Sequence, residues 1–232
     1  MNRKIKIILI LVLLLIIAFL MFNEDYQIEH APYKTIGNNS IGTVEKVIYG
    51  NPNSSNTIAL ITGIHPRETL SITPEIISAQ QYVKNHDDVK IIHYKVNVTK
   101  NPNDYSKGRA NGESLVHDYV NPDVTQSDAD CVIISHSHIP TYGEGYYLAT
   151  PKMDNKSVTI AENINKTSDF NYYPKTGNES YKSTSAVLVS NPIAEAGYAT
   201  FVYEIPEDIT ENDSTNKAME LFDLMVKYAC GA

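Results

Sequence analysis

The apolar and polar positions of this chain fall into blocks of different period, and those blocks predict its elements. Ile7 to Phe22 is unbroken apolar sequence behind Arg3, Lys4 and Lys6. Lys6 can snorkel, so the run reads as a transmembrane signal anchor over 7–22, with 1–6 as a basic cytoplasmic tail. It ends in Asn23-Glu24-Asp25 without the small residues of a cleavage site. Residues 23–42 are polar and broken by Pro32 and Gly37, a tether; the globular domain is expected over 43–232. Alternation predicts strands at Thr43–Tyr49 and Val89–Val98, and continuous apolar runs predict buried strands at Thr57–Thr62, Asp130–Ile134 and Ala199–Ile205. Tyr146–Ala149 and Ala186–Val189 read as short strands. Helical spacing appears over Thr69–His86, Val158–Asn165 and Ser214–Tyr228, with a single turn at Ile193–Ala196.

Two polar stretches interrupt this order. Residues 100–127 read as a long loop, and residues 166–184, rich in tyrosine, as the rim of a cleft. Strands alternating with helices and long connections imply an α/β fold. The expected form is a three-layer domain with a central mixed, mostly parallel sheet flanked by helices.

Composition narrows the function. The chain has 232 residues and a formal net charge of −8, and no basic stripe that would engage nucleic acid. Its two cysteines, Cys131 and Cys230, are too few for a disulfide scaffold or a cysteine-zinc cluster, although one disulfide between them is possible. Sequons at Asn38, Asn53, Asn97, Asn155, Asn165, Asn178 and Asn212 suit an exported domain.

Candidate chemistry begins where the Thr57–Thr62 strand runs into Gly63-Ile64-His65-Pro66-Arg67-Glu68. An imidazole and a carboxylate three residues apart at a strand-to-helix turn suit metal ligation, though chance can supply the spacing. His136 and Glu204 also fall at or just past the ends of predicted strands, where α/β sheets gather ligands.

In this arrangement the chain resembles the zinc carboxypeptidase family and its aspartoacylase and succinylglutamate desuccinylase branch. Gly63-Ile64-His65-Pro66-Arg67-Glu68 is similar to the family's first zinc motif, and Ile134-Ser135-His136-Ser137-His138 to its third-ligand strand. Phe201-Val202-Tyr203-Glu204 resembles the strand bearing the catalytic glutamate. Asn101-Pro102-Asn103-Asp104-Tyr105 with Gly108-Arg109-Ala110-Asn111 resembles the segment bearing the active-site arginine.

The resemblance implies one zinc ion per chain on His65, Glu68 and His136, with Glu204 as general base and then acid, and Arg109 beside the oxyanion. His138 would line the pocket or, in a slipped register, replace His136. Tyr181 is a substrate-contacting candidate. The family's Asp-Leu-Asn-Arg, whose last two residues grip a substrate carboxylate, is here Ser114-Leu115-Val116-His117. His117 is the candidate for an anionic group there.

The implied activity is hydrolysis of a peptide or other amide bond by a domain on the outer side of the membrane, on substrates derived from the cell surface or wall. The alternatives are an N-acyl amino acid deacylase and a catalytically silent binding domain.

Overall fold

The computed structural model describes residues 32–173 and 184–230. The apolar run over 7–22 and Tyr181 lie outside the described residues. Among the described residues, no helix is long and apolar enough to cross a membrane.

One mixed sheet of eight strands organises the domain. The strands are β1 (Lys34–Asn39), β2 (Gly42–Gly50), β3 (Asn56–Thr62), β4 (Val89–Val98), β5 (Cys131–His138), β6 (Tyr147–Ala149), β7 (Asn171–Tyr173) and β8 (Ala199–Pro206). Their spatial order is β1-β2-β4-β3-β5-β8-β6-β7. β4, β3, β5 and β8 run parallel in the middle, and antiparallel pairs join β1 to β2, β2 to β4 and β6 to β8. β3 and β5 are buried along almost their whole length, which is why they read as apolar runs without alternation.

Helices cover both faces. Ile58, Leu60, Ile133 and Phe201 face α1 (Thr73–Asn85), α4 (Asn155–Thr167) and α6 (Glu211–Tyr228), meeting Ala79, Ile164, Leu221 and Phe222. Ala59, Ile61, Val132 and Ile134 face the other layer: α2 (Tyr105–Leu115), α3 (Asn121–Val124) and α5 (Asn191–Glu195). Each fully buried Leu, Ile, Val or Phe contributes about 1.5–3 kcal/mol relative to exposure, so these two clusters dominate the fold's stability.

Three expectations are corrected. Lys34–Asn39, placed in the tether, is an edge strand paired antiparallel with β2. Its sequence is polar because backbone pairing, not a buried face, holds it; only Gly37 is buried.

The 100–127 segment is not a loop. It is α2, capped by Asp104 accepting from the Lys107 amide at 2.8 Å, then a wider π-helical turn (Val116–Val120) and α3. Glycine at 108 and 112 lowers helix propensity and hid the period. Gly112 is needed because α2 lies against the backbone before His65: a Cβ there would stand 1.7 Å from the Ile64 carbonyl oxygen.

Ala186–Val189, expected as a strand, is a second π-helical turn leading into α5. Val189 and Ile193 bury against the α2 layer instead of pairing with the sheet. Cys131 and Cys230 are both free and buried in the α1-side core.

Candidate metal centre

The centre forms at the carboxyl ends of the parallel strands, on the face covered by α2. After Thr62 the chain turns through Gly63 at φ +79°, a conformation that favours glycine, and a Cβ would meet the Val96 carbonyl oxygen at 2.2 Å. The turn delivers His65, and the Glu68 amide donates back to the His65 carbonyl at 3.0 Å. The Ser71 hydroxyl holds the Glu68 carbonyl at 2.7 Å. His136 follows Val132 and Ile134 at even spacing on β5 and faces the same layer. Its register partner on β8 is Glu204, so adjacent parallel strands place these side chains at one level.

Three of the expected residues converge. His65 Nδ1 lies 2.8 Å from Glu68 Oε1, and His136 Nδ1 lies 2.9 Å from Glu68 Oε2. The two imidazole rings are 4.4 Å apart between centroids. One ligand atom from each of His65, Glu68 and His136 falls within 4.8 Å of the others, and all three residues are buried. The Ser137 amide also donates to Glu68 Oε2, at 3.3 Å.

This donor set fits zinc, for which two imidazoles and a carboxylate are one of the common sets of three protein ligands in a catalytic site. The far nitrogen of His65 supports the fit. Its Nε2 lies 3.3 Å from Glu113 Oε1, and a carboxylate behind a ligating histidine fixes the ring and its tautomer.

Glu113 was missed in the sequence. It is one helical turn beyond Arg109 on α2, and reading residues 105–115 as helix would have put both on one face. Arg109 reaches the centre from that face, Nη1 donating to Glu68 Oε1 at 2.6 Å with its guanidinium over the Tyr105 ring.

The charges sort by their partners. Burial alone would raise the Glu68 carboxyl; the charge of His136 foremost, with hydrogen bonds from both imidazoles, instead holds it far below the ordinary carboxylate range. Burial works against a charged His65, but its bonds to Glu113 and Glu68 outweigh that and raise its pKa. Glu204 is pushed up to about 7, chiefly by burial; His136 offsets part of this, while Glu68 and Glu207 add to it. A carboxyl near 7 can both accept and return a proton at neutral pH.

The centre opens into a cleft of about 770 Å³ lined also by Arg67, Tyr105, Tyr142, Ser190 and Glu207. His138 lines it, but cannot replace His136 as ligand. Its Nδ1 faces the Ile139 carbonyl and its Nε2 the Gly145 carbonyl, each at 3.0 Å. His117 is not part of the cleft: it is exposed on the first π-helical turn, and Val116 beside it is buried in the core.

No family model matches the sequence, and no curated protein matches it. Solved structures do resemble the fold. One, provisionally assigned as a carboxypeptidase from Burkholderia mallei, shares 13% identity over 88% of this chain and 64% of its own, with a TM-score of 0.60. A metallo-carboxypeptidase from Burkholderia cenocepacia shares 12% identity over 87% and 65%, with a TM-score of 0.54. The product-bound cell shape determinant protein Csd4 from Helicobacter pylori shares 9% identity over 80% and 55%, also at 0.54. At these identities the likeness is one of fold. The chain spans between 55% and 65% of the length of these three proteins.

Proposed function

We propose that this chain is a zinc-dependent hydrolase of peptide or other amide bonds. The observation that carries the reading is the convergence of His65 Nδ1, His136 Nδ1 and the Glu68 carboxylate, with Glu204 as the register neighbour of His136. His65, Glu68 and His136 would hold the ion, which supplies Lewis acidity and lowers the pKa of water toward neutrality.

Glu204 takes a proton from the attacking water on its carboxylate and returns it to the leaving amine. Its elevated pKa suits both steps. Arg109, already against Glu68, provides fixed positive charge for the oxyanion. Glu113 holds the His65 ring by its far nitrogen.

A peptide substrate is supported by the fold's likeness to Csd4, a cell shape determinant also solved with a tripeptide bound. The apolar run over 7–22, behind Arg3, Lys4 and Lys6, supports a domain anchored at the outer face of a cell membrane, acting on surface or wall peptides.

The test is metal content followed by a substrate screen. The purified protein should contain about one zinc per chain, and His65→Ala should remove it. Blocked peptides, peptides with a free terminal carboxylate and N-acyl amino acids should be offered with and without a chelator. Chelator-sensitive hydrolysis of peptides supports the reading, and cleavage of N-acyl amino acids alone replaces it with a deacylase. Bound zinc without hydrolysis of any class overturns it in favour of a binding domain.

A further inference from the structure

The cleft is charged differently on its two sides. On the α2 side the guanidinium carbons of Arg67 and Arg109 lie 5.9 Å and 5.2 Å from the centre of the Tyr105 ring. On the β8 side stand Glu204 and, three residues on, Glu207. Glu207 is exposed, but two hydrogen bonds hold it in place. Its amide donates to the His138 carbonyl at 2.9 Å, and its Oε1 accepts from the Ser137 hydroxyl at 3.1 Å.

Among the described residues no lysine, arginine or histidine pairs with this carboxylate, yet it lines the same cleft as Glu204. The segment that departs from the family's carboxylate clamp supplies no substitute for it, since Val116 is a core residue and His117, the candidate for an anionic group, does not line the cleft. Among the described residues the β8 side therefore presents carboxylates to the cleft and no lysine or arginine of its own.

We propose that Glu207 is a specificity residue selecting substrates whose leaving portion carries an ammonium group, such as a lysine-like side chain. The inference rests on the hydrolase reading, because Glu204 protonates the leaving amine and so marks the side on which the leaving portion lies. Glu207, on the same stretch of chain, offers its outer oxygen to that portion. A charge-assisted hydrogen bond of this kind is worth about tenfold in selectivity.

Two blocked peptides serve as probes, identical except for lysine or norleucine after the scissile bond. The zinc-loaded protein should cleave the lysine peptide with kcat/KM about tenfold higher. Glu207→Gln should bring the ratio near one, and Glu207→Lys should invert it. A wild-type ratio near one, or a ratio that survives Glu207→Gln, overturns the inference; equal slowing of both peptides counts as survival and assigns Glu207 to holding Ser137. Binding of both peptides to the zinc-loaded Glu204→Gln protein reads the same discrimination without turnover. Absence of a lysine preference there overturns the inference even if the hydrolase reading stands, whereas a preference with no turnover in wild type overturns only the hydrolase reading.

Discussion

The two faces of the central sheet carry buried carboxyl groups under opposite rules. On the α2 face Glu68 is surrounded by His65, His136 and Arg109 and is held ionised. On the α1 face Glu75 is fully buried, neither carboxyl oxygen has a hydrogen-bond partner among the described residues, and burial raises its pKa to about 8. Two other polar groups share its situation: the Ser135 and Tyr203 hydroxyls are also buried without partners among the described residues. Ser135 and Tyr203 each precede a residue of the opposite face, His136 and Glu204. One step along a strand separates a paired, charged centre from an unpaired, neutral layer. Burial by itself does not make a carboxylate reactive; the partners that burial brings with it decide its charge.

The sharpest way to break this contrast is to neutralise the carboxyl assigned to proton transfer. Glu204→Gln should lower kcat by roughly a hundred- to ten-thousandfold while zinc content stays at the wild-type level. Steady-state kinetics beside metal analysis checks both, and near-wild-type turnover would remove Glu204 from the mechanism.

A smaller effect is expected from the other face, and it appears in stability. Glu75 has a folded pKa of about 8 against an ordinary value of 4.5. Between those values the folded chain keeps a proton that the unfolded chain releases. Its contribution is complete below the ordinary value and is lost as pH rises toward the folded one, at up to about 1.4 kcal/mol per pH unit. Denaturant titrations of the Glu75→Gln variant should show a flatter decline across that window than wild type. Parallel declines would mean that Glu75 is not held neutral. Glu204→Gln is the internal comparison, since its raised pKa acts with the same sign over a narrower window.

The smallest effect sharpens the boundary of the site. His117→Ala should change neither kcat/KM nor stability, the latter by no more than about 0.5 kcal/mol. A large loss on anionic substrates would restore His117 to the cleft.

Much of the centre was legible beforehand because strand ends announce themselves. The apolar runs 57–62 and 199–205 stop where the chemistry starts, and His65, Glu68, His136 and Glu204 all sit within a few residues of such a stop. The α2 side was not legible. Its glycines weaken the helical signal, and they are present because Gly112 lies against the Ile64 carbonyl, a constraint between residues 48 positions apart. Glu113 was lost with that helix. β1 was lost because an edge strand held by backbone pairing needs no apolar face.

What the sequence determined by itself was where apolar runs begin and end, which residues can ligate a metal, and a net charge of −8. The tertiary structure alone decided which of those residues meet. Strand parity set His136 and Glu204 toward α2 and Ser135 and Tyr203 toward α1. The β5–β8 register brought His136 level with Glu204, and the close approach of α2 carried Arg109 and Glu113 to Glu68 and His65. Pairing between distant segments fixes these distances, and a pattern with a period of two or of 3.6 residues carries no record of it.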